Sequence, residues 1–439
     1  MPFAKDQPRV GGRGGATTVG WPAMFSSLSY RDFRWYWVST MASFAAMQMR
    51  EVATGWLIYD VTRSPLALAS VSAAWGVPVL FLSLVGGMVT DRVNKQQLLI
   101  WSQVIMGGLS LVLGLLVTTG TVTLWHLLTI SLLQGIVSAF NMPGRQAFIP
   151  HLVDRSNLMN AVALSSVAMN LTRIGGPALA GVLVALIGVA GVYYFIVLIS
   201  IVSTVAMMLI TPRETTPSSP QSHMGQEIAL GLRYVAHSPA IQILIVTGLG
   251  FSLFAMPYQV LMPIFAGDVF NIGPKGLGLL LSMPGVGALV GSMVVAALGD
   301  FRRKDALLIA SGTLMGIFLV LFALNGSLHL SLFFLTMVGV ASSGSMAANN
   351  TLLQLNTSDE VRGRVMSIYM MVWGLQPLGT VPAGFLAQAL GAPLAIALGG
   401  GALALLSIAA RLHPIAWREM RLVGEESLVL ASIKGSHVE

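Results

Sequence analysis

Residues 87–95 read Gly87-Met88-Val89-Thr90-Asp91-Arg92-Val93-Asn94-Lys95, a short charged stretch between apolar runs. The run that ends within this stretch, 66–90, and the run that follows it, 98–118, are each long enough to cross a bilayer, because a helix needs about 20 residues to span the ~30 Å hydrocarbon core. A short basic link between two such runs is typical of the cytoplasmic membrane surface. The stretch therefore predicts an integral membrane protein.

The same pattern continues along the whole chain. Twelve apolar runs are predicted, at residues 33–60, 66–90, 98–118, 123–145, 158–187, 190–210, 241–266, 276–298, 306–325, 329–350, 364–390 and 393–411. Of the 24 Lys and Arg, only Arg63 and Lys275 fall on one side of this topology, and Arg50 and Arg173 fall within runs. The remaining 20 lie on the other side, which the positive-inside rule identifies as cytoplasmic. Both termini are predicted on that side.

The composition supports a membrane protein and excludes several other classes. Hydrophobic residues make up 55% of the chain and charged residues 9%, whereas soluble domains carry about 25% charged residues. The net charge of +7 is spread over many loops, which favours contact with anionic lipid over nucleic-acid binding. The chain has no cysteine, and its seven histidines lie near run ends, in loops or in tails. No metal site, cofactor or enzyme activity is therefore predicted.

The runs divide into two halves with matching features. Asp91 to Ile100 corresponds to Asp300 to Ile309 at an offset of 209 residues, and Gly76 corresponds to Gly285 at the same offset. Gly176 and Gly181 correspond to Gly379 and Gly384 at an offset of 203. Repeated six-span halves are typical of transporters whose binding site lies between the halves. The predicted divisions are an N-terminal cytoplasmic tail (1–30), a six-helix bundle (31–210), a cytoplasmic linker (211–240) with a short amphipathic helix over 226–236, a second six-helix bundle (241–411) and a C-terminal cytoplasmic tail (412–439).

The opening stretch resembles the loop signature of the major facilitator superfamily, with Gly87, Asp91, Arg92 and Lys95 at the characteristic positions. The resemblance implies that Asp91 caps the cytoplasmic end of span eleven, where a carboxylate is favoured at a helix N-terminus. We call the implied set the cytoplasmic latch: Gly87, Asp91, Arg92, Lys95, Arg362, Arg364 and Asp300. Lys95 replaces the usual Arg and cannot bind bidentately. The alternative is that these are ordinary basic residues of a cytoplasmic loop.

A second resemblance lies in span five. Gly176, Pro177 and Gly181 match the antiporter motif of that superfamily, with Ala180 in place of one glycine. The motif implies export, although small residues and a proline also serve simple helix packing. In span four, Ser131 occupies the position of the family's usual proton-coupling arginine. Proton coupling can therefore not be transferred from that position.

A closer branch is also recognisable. The segments 33–37, 62–68, 145–150 and 170–177 resemble enterobactin-type siderophore exporters and macrolide-efflux proteins. The likeness covers most of residues 28–411 and implies a twelve-span exporter of small molecules.

Three ionisable residues lie deep in the predicted spans, and such residues are costly unless they serve a function. Glu51 in span one and Arg173 in span five are predicted to differ in depth by only ~5 Å, so we expect them to pair. Glu51 is the proton-coupling candidate, with a static ion pair as the alternative. Arg50 points about 100° away from Glu51 and is expected to meet an anionic substrate.

Other polar and aromatic residues are candidates for the wall of a substrate cavity. Span seven is rich in Met and aromatic residues, which suits a bulky and partly apolar ligand but also suits core packing. The cavity candidates are Gln48, Asn170, Phe254, Tyr258, Gln259, Trp373 and Gln376.

Together these features predict an all-α membrane protein with twelve transmembrane helices in two pseudo-symmetric bundles. The expected function is proton-driven export of small amphipathic molecules across a bacterial cytoplasmic membrane. The expected partners are a small-molecule substrate, protons and membrane lipid, and the chain is expected to be a monomer. An uncoupled facilitator or importer is the alternative, and a non-transporting membrane sensor is a remote one.

Overall fold

The helices follow the predicted apolar runs closely. A computed structural model describes residues 25–211, 224–298, 303–358 and 360–412, and within these ranges it contains helices and no strands. The α-helices are α1 (Arg31–Thr62), α2 (Pro65–Arg92), α3 (Lys95–Thr118), α4 (Leu124–Phe148), α5 (Leu158–Met208), α6 (Met224–His237), α7 (Pro239–Gly250), α8 (Pro257–Ile264), α9 (Gly273–Leu298), α10 (Lys304–Leu324), α11 (Leu328–Leu355), α12 (Arg362–Gly374), α13 (Gln376–Leu390) and α14 (Ala392–Arg411).

Within the described residues, nine helical segments are long and apolar enough to cross a membrane. One of them, Arg155–Met208, is 54 residues long and covers two of the predicted runs. Another, Pro239–Val269, contains α7 and α8, with one π-helical turn between them at Phe251–Ala255 and a second after α8 at Phe265–Val269. The predicted first and eleventh runs are also helical, as α1 and as α12 with α13, but they are not among the nine.

A single glycine separates the two parts of α5. Gly188 has φ +72°, in the left-handed region that glycine adopts without steric cost. Contacts with α1 show that the chain reverses direction there, because the first part of α5 runs parallel to α1 and the second part antiparallel. The first part places Leu164 at Trp37 and Gly176 at Gln48, and the second places Ser203 at Ser39 and Tyr193 at Thr54.

The charged stretch at 87–95 is more helical than the sequence predicted. Helix α2 continues to Arg92 and α3 already begins at Lys95, so only Val93 and Asn94 lie between them. The Asn94 side chain caps α3 by accepting a hydrogen bond from the Gln97 backbone N–H at 3.1 Å. The predicted helix over 226–236 is present as α6, whereas residues 212–223 of the linker lie outside the described ranges.

Two equivalent seams join the halves, and glycines allow close backbone contact in both. In the first seam, α5 meets α9, where Gly181 packs against Pro274 and Gly278. In the second, α13 meets α2, where Gly384 packs against Pro65 and Ala69. The two seams are related by the offsets found in the sequence. Gly181 and Gly384 are 203 residues apart, and the residues that they contact, Pro65 with Pro274 and Ala69 with Gly278, are 209 apart. The contact between Gly285 and Ile174 likewise corresponds to that between Gly76 and Pro377.

These seams close the bundle at one end. We call this the Arg63 end, where Ser64 Oγ donates a hydrogen bond to Gln388 Oε1 at 3.0 Å across the halves. The opposite end, which holds Arg145, is more open. Eight of the last ten residues of α9, 289–298, are exposed there, and Gly291 is the one that is buried, against Val340 of its own half.

The tight glycine contacts predict a clear difference between two Gly→Ala substitutions. A Cβ at Gly135 would lie 2.2 Å from the Trp75 carbonyl oxygen, so Gly135→Ala forces α2 and α4 apart. Overpacking of this kind typically costs about 1–3 kcal/mol. We expect a lower thermal unfolding midpoint for the purified variant in detergent.

Gly108→Ala is the matched control, because a Cβ at Gly108 meets no atom within 4 Å. Alanine is favoured over glycine within a helix by roughly 0.5–1 kcal/mol, so this variant should unfold at or above the temperature of the unaltered chain. If Gly135→Ala proves as stable as Gly108→Ala, the close contact between α2 and α4 is wrong.

Candidate functional site

A cavity of about 220 Å³ lies between the two halves, near the middle of the bundle. Helices α1, α5, α8 and α9 supply its walls. We call it the central cavity, and its lining residues are Phe44, Met47, Gln48, Glu51, Met169, Thr172, Arg173, Pro177, Gln259, Leu281 and Pro284. The lining combines one carboxylate, one guanidinium and two amides with an apolar wall.

The side of α5 that leads from the cavity towards the Arg145 end is polar and exposed. Ser166 and Asn170 are both exposed there, two turns and one turn before Arg173 respectively. Asn170 Nδ2 donates a hydrogen bond to the Ser166 carbonyl at 3.0 Å. Polar side chains in a membrane span usually face water or protein rather than lipid. The central cavity therefore faces the Arg145 end.

Glu51 and Arg173 share the cavity but form no direct ion pair in the part of the chain that the structure describes. The packing of α1 on α5 explains this result. Gln48 lies against Gly176, so Glu51 lies three residues beyond this contact and Arg173 three residues before it. For parallel helices this offset amounts to ~9 Å along the axis, more than the ~5 Å predicted.

The two charges nevertheless interact across the cavity, since the field of Arg173 acts on the Glu51 carboxylate. Both also act electrostatically on Tyr258. Glu51 is exposed to the cavity and Arg173 is half-buried. A carboxylate held near a cation without direct contact leaves its oxygens available to a ligand or a proton.

Arg50 lies outside the central cavity, contrary to the expectation that it meets a substrate there. Its Nε donates a hydrogen bond to Ser110 Oγ at 3.3 Å, and its Nη1 lies 3.8 Å from Met106 Sδ. Both partners belong to α3. Arg50 therefore points into the N-terminal half, consistent with the 100° turn between neighbouring helical residues.

The other predicted cavity residues, apart from Trp373, fall into three groups. Gln48 and Gln259 line the cavity. Tyr258 is buried beside it and accepts a hydrogen bond from Gln259 Nε2 at 3.3 Å. Phe254 and Gln376 do not line the cavity: the Phe254 carbonyl lies against Gly399, and Gln376 begins α13. The side chain of Trp373 lies outside the described part.

Sequence reasoning missed most of the apolar lining. The missed apolar residues are Phe44, Met47, Met169, Leu281 and Pro284, and the hydroxyl residue Thr172 was missed as well. A signal was present on α1, where positions 44, 47, 48 and 51 follow the i, i+3, i+4, i+7 spacing of one helix face. Positions 169, 172, 173 and 177 give the corresponding face of α5.

Of the antiporter-like residues of α5, Pro177 and Gly181 belong to the seam between the halves, whereas Gly176 packs within the N-terminal half. Gly176 accommodates the Gln48 side chain, and Pro177 both lines the cavity and places its carbonyl against Gly278. Gly181 meets Gly278 one turn further on. The structure thus gives these residues a packing role, and their predicted role in export stays a prediction.

The cytoplasmic latch is only partly within the described structure. Asp300 lies outside the described residues, and the side chains of Asp91 and Arg92 lie outside the described part. Gly87 lies within α2, and Lys95 is 7% exposed at the first position of α3. Arg362 Nη2 donates to the Thr357 carbonyl at 3.4 Å, and Arg364 follows in the first turn of α12.

Comparisons with known proteins identify the fold and the family. The chain is 26% identical to the enterobactin exporter of Shigella dysenteriae serotype 1 over 342 residues, which cover 77% of this chain and 80% of that protein. It is 22% identical to macrolide efflux protein A of Streptococcus pyogenes over 363 residues, which cover 81% and 89%. A bacterial homolog of the human lysosomal transporter Spinster, solved in an inward-facing and unoccupied conformation, has a similar fold, with a TM-score of 0.68 at 15% identity over 91% of this chain and 97% of that chain.

The predicted resemblance to the enterobactin-exporter and macrolide-efflux branch is confirmed by these relatives, which are transport proteins and not enzymes. The sequence profile described as "transmembrane secretion effector" matches residues 22–429, almost the whole chain. The chain therefore belongs to the transmembrane secretion effector family of major facilitator transporters.

Proposed function

We propose that this transporter exports small amphipathic molecules from a bacterial cytoplasm by alternating access. The observation that carries the proposal is the central cavity, which lies between two halves that meet at the Arg63 end and separate at the Arg145 end. Rocking of the halves about such a cavity exposes it to each side in turn. The names of the two relatives, an exporter and an efflux protein, support the outward direction.

The topology belongs to this proposal. The chain crosses the membrane twelve times, with α1, each part of α5, and α12 with α13 as spans beside the other apolar helices. Both termini and the 211–240 linker face the cytoplasm, so the Arg145 end is cytoplasmic and the Arg63 end faces outwards. The protein acts as a monomer in contact with anionic lipid.

The chemistry of the cavity supports an amphipathic substrate. Phe44, Met47 and Leu281 offer an apolar wall, and the flexible Met side chain adapts to ligands of different shape. Gln48 and Gln259 supply hydrogen-bond donors and acceptors on opposite halves. A siderophore, a macrolide or a drug-like molecule combines apolar and polar surfaces in this manner.

Glu51 is the proton-coupling residue in this proposal. It is exposed to the cavity, and no direct ion pair within the described residues holds its carboxylate. It is therefore free to take up a proton on one side and release it on the other. One charge moving through about 100 mV supplies ~2.3 kcal/mol, enough for roughly a 40-fold substrate gradient.

The coupling is tested by substrate accumulation in efflux-deficient bacterial cells. A macrolide, a catecholate siderophore and a cationic dye serve as substrates, with and without an uncoupler. We expect the unaltered chain to lower accumulation of at least one of them severalfold. Glu51→Gln and the uncoupler should each abolish this effect, because the amide cannot carry a proton.

Asp60→Asn is the matched control, since it makes the same change at an exposed carboxylate of α1 and should leave efflux intact. Efflux that survives both Glu51→Gln and the uncoupler would exclude proton coupling through this residue. It would favour uncoupled transport, in keeping with Ser131 at the position of the family's usual arginine.

The topology is tested separately with single cysteines, because the chain has none of its own. Two exposed positions, Thr121→Cys in the loop after α3 and Lys275→Cys in the first turn of α9, should react with a membrane-impermeant maleimide in intact cells. Arg155→Cys and Arg303→Cys should react only after the cells are permeabilised. The reverse pattern would contradict the proposed orientation.

A further inference from the structure

A cluster of three polar side chains joins the two halves at the Arg63 end. The Tyr59 hydroxyl, on α1, donates a hydrogen bond to Asp268 Oδ1 at 2.5 Å. Arg63 Nη1 donates to the Tyr59 hydroxyl at 2.6 Å and lies 3.7 Å from Asp268 Oδ1. Asp268 belongs to the C-terminal half, so each of its two contacts crosses the boundary between the halves.

The Tyr59 ring is fixed by packing as well as by its hydroxyl. The ring is buried against Gly267, where a Cβ would lie 2.1 Å from the ring carbon Cζ. One turn earlier on each helix, Gly55 lies against Pro263. The i, i+4 spacing on both sides means that one face of α1 packs along one face of the segment 263–267.

This contact begins directly beside the central cavity. Gln259, which lines the cavity, lies one turn before Pro263, and Glu51 lies one turn before Gly55. The packed faces of α1 and 263–267 therefore lie between the cavity and the Arg63 end. These faces therefore form part of the barrier between the cavity and the Arg63 end.

The geometry of Arg63 and the exposure of the pair suit a contact that opens and closes. Arg63 has φ +49°, and its guanidinium carbon lies 4.5 Å from the centre of the Tyr59 ring, a cation–π contact. The side chains of Arg63 and Asp268 are 62% and 52% exposed. Exposed ion pairs add little stability, so water can replace this one without a large penalty.

We infer that Tyr59, Arg63 and Asp268 form a lock that holds the cavity shut at the Arg63 end and has to open for a ligand to leave there. We call these three residues the Tyr59 lock. The role of the Tyr59 lock in transport rests on the proposed function. The lock itself determines only the end from which the cavity is accessible.

The test measures accessibility without substrate or proton. Met47→Cys places the only thiol of the chain in the cavity, and a membrane-impermeant maleimide is applied to one side of oriented membrane vesicles. Lys275→Cys and Arg155→Cys, in separate chains, identify the Arg63 and Arg145 sides. We expect Met47→Cys to react mainly from the Arg145 side.

Opening the lock should change the ratio between labelling of Met47→Cys from the Arg63 side and labelling from the Arg145 side. Asp268→Asn and Arg63→Gln are each expected to raise labelling of Met47→Cys from the Arg63 side severalfold. Tyr59→Phe, which keeps the ring over Gly267 and removes only the hydroxyl, should give a smaller increase. The exchanged pair Arg63→Asp with Asp268→Arg should return the ratio towards that of the unaltered lock.

Asp60→Asn is again the matched control, because it removes a carboxylate at the same end outside the lock. The inference is overturned if Asp268→Asn leaves the ratio unchanged while labelling from the Arg145 side shows that the cavity is intact. It is also overturned if Asp60→Asn raises labelling from the Arg63 side as much as Asp268→Asn does. Unchanged labelling with normal efflux would reject the lock and keep the proposed function. If the ratio changes in Asp268→Asn but the unaltered chain exports none of the substrates, the lock is retained and the proposed function is rejected.

Discussion

The structure depends on the close contact of helix backbones at glycine. Within a bilayer, helices gain no hydrophobic energy by leaving lipid for each other, so their association rests on packing and hydrogen bonds. Gly135 against Trp75 within the N-terminal half, and Gly339 against Pro284 within the C-terminal half, bring backbones into direct contact. Gly181 against Gly278 does the same between the halves. Each contact fixes the relative height of two helices, and the heights of their side chains follow from it.

The central cavity is a consequence of these fixed heights. Gly176 sets α5 against Gln48, and this register places Glu51 and Arg173 on the same cavity at different depths. Had the register brought the two side chains level, a neutralised pair would occupy the space that a ligand needs. The separation of the charges thus comes from backbone packing and not from the charges themselves.

Much of the fold could be predicted from the sequence, because hydrophobic length and charge asymmetry are strong signals. The polar members of the cavity, Gln48, Glu51, Arg173 and Gln259, could be found because a polar group stands out within an apolar run. Phe44 and Leu281 could not be distinguished from lipid-facing residues by their chemistry alone. The contact between Tyr59 and Asp268 joins residues 209 apart in sequence at the ends of two helices, where no periodic pattern continues.

The two π-helical turns around α8 have a mechanical consequence. A π turn contains one more residue than an α turn, so converting it to α-helix moves the adjoining segment by one residue, which is a rotation of about 100° and a shift of ~1.5 Å. Phe251–Ala255 and Phe265–Val269 lie on either side of Pro257–Ile264. If the turn at Phe251–Ala255 loses its extra residue while α7 stays in place, α8 rotates about its axis by this amount. Gln259, on α8, would then turn away from the cavity.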